Sequence, residues 1–483
     1  MSRPIKKVID RPNIVVVMTD QHAARAIGVV GDPAADTPAL DRLAARGTRF
    51  TNAYCPSPLC VPSRMAFLTG LEPHVSGVLS NDDFLASNIP TISHALGAGG
   101  YDCQLFGRMH FYGPDQLHGF AGRPIGDIGP GWPGAGAPEI GTLTEARGNH
   151  GDQIKGSGQG ETSYQAYDHA VAESGVEGLK KLCAARDQAD TPFFAMVSLF
   201  CPHPPYIALP EDCAAVSGNV GPPRLDTPEH RHPALQEWAN AGGVARVIAK
   251  PSHRARIAYY GLVRMVDRLA GQVLAALEGR DDTIVAYVSD HGEALGERGL
   301  WWKSTFYDES SKVPMIFAGP GIEESRVDDR VTGLLDLSAT ILDLAGVPAL
   351  PGQVGRSLAS KDPWIHRVTS SYYGGLMNIK TKALRHRMLR QNSLKLCVYD
   401  GHAPQLFDLE ADPDELCDIA PSRPEDVKRL SGDLTAGWDV ETLTRTQKRN
   451  AARAELLRGW VKAVHPPERL RWCDPNPERN RYL

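Results

Sequence analysis

The sequence predicts an α/β fold: a large, mostly parallel sheet sandwiched by helices, with a smaller antiparallel subdomain toward the C-terminus. Three observations carry this reading. The continuous apolar runs Asn13–Asp20, Pro192–Leu199 and Thr283–Ser289 have the pattern of strands buried on both faces. Stretches of helical period lie between them, the alternation that builds a parallel sheet. From about residue 365 the strands shorten and charges multiply, as in a small antiparallel sheet.

In chain order, Asn13–Asp20 is the first core strand and ends in a carboxylate at the edge where such sheets place ligands. Thr37–Ala45 is a helix, with Thr37 as cap and Pro38 at its first position. Pro56, Pro58 and Pro62 keep the next stretch extended, and Ser63 caps a helix running to Leu68. Ile92–Leu96 is a short helix and Tyr101–Phe106 a strand, which opens into a polar loop, 107–119, holding Arg108, His110 and His118. Pro124–Gly160 is rich in glycine and proline without periodicity, and is expected to be a long surface loop near the site entrance. Helices follow at Thr162–Ala185 and Ser252–Leu277, the strand Pro192–Leu199 running into His203. Thr283–Ser289 closes on Asp290-His291-Gly-Glu293, followed by Gly299-Leu-Trp-Trp-Lys303, a strand Val313–Ala318 and a helix Asp336–Leu344. Short strands Val368–Tyr372 and Lys395–Tyr399 and a helix over 440–464 complete the chain, ending in an irregular tail. The expected division is a main domain over 1–364, a small sheet over 365–435, and a helix and tail over 436–483 available for an oligomer contact.

Composition narrows the function classes. With 52 basic against 57 acidic residues the net charge is −5, and no basic block offers a nucleic-acid surface. The apolar run Ile14–Met18 is too short for a signal core or a membrane span. Nine cysteines without framework spacing suit reduced thiols, so a cytoplasmic protein with no membrane partner is expected.

The chemistry concentrates on Cys60-Val-Pro-Ser-Arg64. Cys60 would stand just ahead of a helix N-terminus, where free N–H groups favour an anion, with Arg64 adding a positive fork on the same side. A thiolate phosphatase loop needs five residues and glycines between Cys and Arg; here three intervene and none is glycine. A buried structural cysteine would leave the rest of the pattern unused. Four strand ends converge on one edge with Cys60: Asp20, the 107–119 loop, His203 and Asp290-His291.

Cys-x-Pro-Ser-Arg, with these partners, resembles the type I sulfatases of the alkaline phosphatase superfamily, from Pro12 to about Asp418. The resemblance implies that Cys60 becomes formylglycine before folding, through a formylglycine-generating enzyme. It implies a divalent metal held by Asp20, the modified Cys60, Asp290 and His291. Oxygen and imidazole donors suit Ca²⁺, Mn²⁺ or Mg²⁺. Arg64 would steady the formylglycine, His110 act as base, and His203 and Lys303 hold the sulfate and meet the leaving oxygen. Gln21, Asn81 and Arg108 would contact substrate. Asp20-Gln21 and Asp290-His291 depart from the common Asp-Asp and Asp-Asn pairs, and look like the branch of choline sulfatases and phosphonate monoester hydrolases. Arg108 stands where lysine is common. The implied activity is hydrolysis of a small soluble aryl or alkyl sulfate, with choline sulfate a candidate, by a homo-oligomer. Phosphonate monoester or phosphodiester hydrolysis on the same site is the alternative. The tail holds Trp472, Asp474 and Tyr482, but its four arginines argue against a cage for a quaternary ammonium; Trp132 and the Trp301-Trp302 pair are the other aromatic candidates.

Overall fold

The computed structural model describes residues 11–138, 140–143, 150–228, 231–245, 249–376 and 379–483. The strands of the main body, in chain order, are β1 (Asn13–Asp20), β2 (Gly47–Tyr54), β3 (Asp102–Gly107), β4 (Gly122–Ile125), β5 (Gly158–Glu161), β6 (Phe193–Pro202), β7 (Ile207–Ala208), β8 (Thr283–Ser289), β9 (Met315–Ala318) and β10 (Arg326–Gly333). Eight of them form one sheet in the order β10-β2-β9-β8-β1-β6-β3-β4. Among these, β9 alone runs against the rest.

β1 lies at the centre because its side chains can be buried on both faces. Val15 and Val17 enter one apolar cluster with Val197, Tyr287 and the long helices Ser163–Ala189 and Ala249–Ala275. Ile14, Val16 and Met18 enter the opposite cluster, with Met196, Val288 and the helices Cys60–Thr69 and Leu334–Leu344. Each such side chain, fully withdrawn from water, contributes about 1.5–3 kcal/mol. This three-layer packing fixes the register of β1 against β6 and β8, and so fixes where their carboxyl ends meet.

A second, four-stranded antiparallel sheet joins Arg367–Tyr372, His386–Gln391, Leu394–Val398 and Gln405–Asp408. Leu389, Leu396 and Leu406 on one face meet Leu430 and Leu434 of the helix Pro424–Thr435. Met388, Cys397 and Phe407 on the other face join the main core.

Several local expectations are corrected. β2 and β10 were not anticipated as strands; both carry polar residues on one side and lie at or beside the sheet's end. The helix expected from Ser63 begins at Cys60, with Leu59 at the cap position, because a proline is tolerated in a first turn whose N–H groups have no intrahelical partner. Ser63 instead donates to the Asp290 carbonyl. Thr37 precedes its helix but accepts from Gly28 N–H, and the Asp267 carboxylate caps Ala39 and Leu40 (3.0 and 2.8 Å). The stretch 124–160 is not only surface loop. It contains the end of β4, the helix His150–Lys155 and β5, and residues 125–128 are buried; residues 139 and 144–149 lie outside the described residues. The tail after the helix Val440–Val464 folds back on its own chain, where Arg481–Tyr482 pairs with β5.

Candidate active site

The carboxyl ends of the parallel strands bring nearly every predicted site residue together. β1 ends at Asp20, β3 leads to Arg108 and His110, β6 to His203, and β8 to Asp290 and His291. β2 feeds the turn before Cys60, the first residue of its helix, whose N–H of Val61 is held by the Asn81 side chain (3.0 Å). Cys60 is buried. Its Sγ lies 3.1 Å from Lys303 Nζ, 3.3 Å from His291 Nε2 and 3.6 Å from Asp20 Oδ1.

Asp20, Cys60, Asp290 and His291 each turn one potential ligand atom inward, all within 4.8 Å of one another. His291 Nδ1 is 3.0 Å from the Gly292 carbonyl and donates to it, which leaves the Nε2 lone pair facing Asp20 and Asp290 (3.7 and 3.6 Å). Burial holds His291 below its ordinary value, so the ring is neutral near pH 7. Burial alone would raise Asp20; Arg108, His203, Arg64 and Lys303 outweigh it and keep the carboxylate well below the usual range. Two ionised or ionisable carboxylates, an imidazole lone pair and a sulfur-bearing side chain facing one point fit a divalent cation, and the outer edges of both carboxylates are already oriented. Arg64 supplies that orientation: Nε donates to Asp290 Oδ2 (2.7 Å), Nη2 to Asp20 Oδ2 (3.3 Å), and Nη1 to Ser198 Oγ and the Arg108 carbonyl. Its fork is thus spent on the ligands rather than on the space above Cys60.

Arg108 uses all its edges. Nε donates to Asp20 Oδ2 (2.7 Å), Nη1 to Asp127 Oδ1 (3.1 Å) and Nη2 to His110 Nδ1 (2.9 Å), while its plane lies over Phe200. A lysine could not make these three directed bonds at once. Burial and the Arg108 charge hold His110 below its ordinary value. His203, its Nδ1 on the Pro204 carbonyl, is driven lower still by burial and Lys303.

Gln21, expected at the substrate, is committed to the protein: Oε1 accepts from Lys303 (2.6 Å) and Nε2 donates to Glu293 (2.5 Å) and Tyr206 (3.3 Å). Gln21, His110, Trp302 and Ser304 all have φ between 61° and 71°, a conformation costly for side-chain-bearing residues and gathered here around the site. Two supporting residues escaped the sequence reading. Glu293 accepts from Gln21, Tyr206, Leu295 N and Trp302 N and so shapes the Lys303 loop. Asp127 holds Arg108 and the backbone N–H of His110 (2.7 Å); against the opposing effect of burial, Arg108, His110 and Arg123 bring it down to about 2. The first had a signal in its place just after a strand-end ligand pair; the second had none.

Outside Cys60 lies a cleft of about 450 Å³, lined by Asn81, His203, Lys303, Tyr373, Asn450 and Arg458 among others. The helix Val440–Val464 is one wall, and Arg458 is paired with Asp82 across it. Of the aromatic candidates Trp302 lines this cleft, Trp301 is packed in the core, and Trp132 sits between Phe84 and Trp460 in tilted and edge-on contacts.

The sulfatase family profile matches residues 12–347, and the profile of the N-sulphoglucosamine sulphohydrolase C-terminal region matches 296–435. The chain belongs to the sulfatase family. A choline-sulfatase of Rhizobium meliloti is 34% identical over 93% of this chain and 90% of its own length. Arylsulfatase K of Homo sapiens is 27% identical over 87% of the chain and 81% of its own length. A phosphonate monoester hydrolase of Agrobacterium radiobacter has the same fold (TM-score 0.68, 21% identity, 91% of this chain and 96% of that one), as does a 2-O GAG sulfatase (TM-score 0.67, 23% identity, 98% and 96%). This sulfatase is accordingly a sulfuric ester hydrolase. Among the described residues no helix is long and apolar enough to cross a membrane.

Proposed function

We propose that this sulfatase hydrolyses small soluble sulfate esters through a formylglycine hydrate made from Cys60. The observation that carries the reading is the position of Cys60 Sγ, 3.1 Å from Lys303 and 3.3 Å from His291, inside a buried four-donor cluster. Burial of Cys60 also fits oxidation of the unfolded chain by a formylglycine-generating enzyme, before the site closes.

Asp20, Asp290, His291 and the modified Cys60 would hold one divalent ion, Ca²⁺ or Mn²⁺, which supplies Lewis-acid activation and offsets anionic charge. A formylglycine hydrate at position 60 would supply one hydroxyl as nucleophile toward sulfur, with the sulfur–oxygen bond to the alcohol breaking, and a second hydroxyl whose proton must be removed for sulfate to leave. Lys303 and His203 stabilise the sulfuryl oxygens and the departing oxygen. His110 is the residue to take that proton. A sulfuryl oxygen competing for Arg108 Nη2 would free His110 Nδ1 and make either ring tautomer available.

The free cysteines among the described residues suit a reducing compartment, so we place the enzyme in the cytoplasm. The cleft has room for a modest leaving group. The tail does not supply a cage there: Trp472 lies on Tyr167, Asp474 pairs with Arg479, and Tyr482 donates to the Gly156 carbonyl. Three of the tail's arginines, Arg471, Arg479 and Arg481, are themselves paired with acids, so the charge argument against a cationic substrate is weaker than the sequence suggests. The test compares kcat/KM for an aryl sulfate, choline sulfate and an aryl phosphonate monoester on one preparation whose Cys60 peptide has been weighed. We expect an aldehyde or its hydrate and preference for a sulfate. A thiol in fully active protein would sink the mechanism, and preference for the phosphonate would favour the neighbouring hydrolase activity.

A further inference from the structure

We propose that Asp127, held from behind by the C-terminal tail, is a positioning residue for Arg108 and His110, so that the tail supports the site from outside. This rests on the functional reading above for its choice of assay. Both oxygens of Asp127 are engaged: Oδ1 accepts from Arg108 Nη1 and Gly129 N (both 3.1 Å), Oδ2 from His110 N (2.7 Å). With Nε on Asp20 and Nη1 on Asp127, the rigid guanidinium plane is fixed, and this sets where Nη2 meets His110 Nδ1. The same carboxylate anchors the His110 backbone at φ 61°, a conformation that needs a partner to persist.

The tail is fitted to the other side of this strap. Trp472 N donates to the Asp127 carbonyl (2.9 Å), Arg471 Nε to that of Ile128 (3.2 Å), and Gly131 N to Glu468 (2.5 Å). The Trp472 ring lies on Tyr167, whose hydroxyl donates to the Gly126 carbonyl (2.8 Å). Gly126 is glycine for a reason visible in the contact: a Cβ there would stand 1.6 Å from the Leu470 carbonyl oxygen. The close approach of tail and strap is therefore built into the sequence at both sides.

The experiment uses the full chain with Asp127→Asn, which alters the carboxylate, and Gly126→Ala, which pushes the tail away without touching any group in the site. With the ester the wild type turns over best, kcat should fall about 10–100-fold for Asp127→Asn and by the lower end of that range for Gly126→Ala. KM and bound metal should stay near wild type; Tm will fall in both variants, one losing a buried partner of Arg108 and the other meeting a backbone atom, so kcat is measured per folded, metal-loaded molecule well below either transition. A crystal structure of Asp127→Asn should show the Arg108 Nη2–His110 Nδ1 contact, 2.9 Å here, opened while the Asp20–Asp290–His291 cluster is unmoved. Unchanged kcat in both variants overturns the proposal, as does a loss that disappears when kcat is expressed per folded, metal-loaded molecule. If the wild type cleaves no ester, the functional reading fails; the crystal structure then decides positioning alone, and an unmoved Arg108–His110 pair overturns it.

Discussion

Two of the buried ion clusters among the described residues are built on opposite plans. In the first, Lys395 is fully buried and its Nζ lies 2.7 Å from both Asp308 Oδ1 and Glu415 Oε1. Tyr54 OH and Lys312 also donate to Asp308, so donors answer acceptors throughout. That cluster joins the small sheet to the end of β2 and has no direction other than inward. In the second, at the strand ends, Arg64 and Arg108 satisfy the outer edges of Asp20 and Asp290, but on the inner side acceptor faces acceptor. Asp20 Oδ1, His291 Nε2 and Cys60 Sγ stand within 3.7 Å of each other, and Lys303, 3.1 Å from Cys60 Sγ, lies 4.0 Å from Asp20 Oδ1. A fold that needed only a tie would not assemble such a group. The inner side is arranged for a ligand, and the difference between the clusters can be tested by removing one member of each.

The largest effect is expected at the ligand side. Asp290→Asn should lose bound metal and activity together, measured by metal analysis and turnover on the same samples. His110→Ala should separate the two: metal stays, while turnover falls about 10²–10⁴-fold. Mass spectrometry of that variant after substrate should find the Cys60 peptide carrying sulfate, because expulsion is the step that needs the base. Full metal occupancy in Asp290→Asn would show that the acceptor cluster is misread.

Next comes the structural tie. Lys395→Met leaves Asp308 and Glu415 facing each other without their shared cation, which should cost about 3–5 kcal/mol of stability. Denaturant unfolding would measure it. Turnover per folded molecule should not change, since no member of this cluster reaches the Cys60 cleft. A fall in kcat without a fall in stability would erase the distinction between the two clusters.

How far each plan was legible in the sequence follows from the same contrast. Asp20, His203, Asp290 and His291 could be read because each follows a continuous apolar run that can only be a central strand, and the end of such a strand is a defined place. Cys60 and Arg64 were legible through a local motif. Asp127 was not, because it sits in a glycine- and proline-rich stretch whose order comes from the distant tail, at Trp472. Asp267 was missed as a helix cap for the same kind of reason: its partners at Ala39 and Leu40 are 228 and 227 residues away. β2 and β10 lacked the apolar runs of the centre because position near a sheet's end lets one face stay polar. Lys395 gave no signal at all; alternation placed it in a strand, but nothing local says that a lysine will be buried between two acids.

The smallest expected effect is a pH dependence, and it sharpens the comparison because one carboxylate of the tie, Glu415, shifts in the opposite direction to Asp20. Asp20 is held down by its cations. Glu415 is pushed up to about 7, first by burial and then by Asp308, against the pull of Lys395. In the unfolded chain a glutamate loses its proton near 4.5. The folded state therefore binds this proton more tightly than the unfolded one. The stability it contributes is fully present below about 4.5 and is lost as pH rises through about 7. Glu415→Gln keeps a carbonyl oxygen for Lys395 or for Asp308 N, and cannot titrate. Its Tm should accordingly vary less than that of the wild type between about pH 5 and pH 8. The pH profile of kcat should be the same in both, because Glu415 stands in the tie and not among the ligands. If Glu415→Gln leaves the slope of Tm unchanged, the proton does not reside on this carboxylate. If it shifts the kcat profile, the two clusters are electrostatically one.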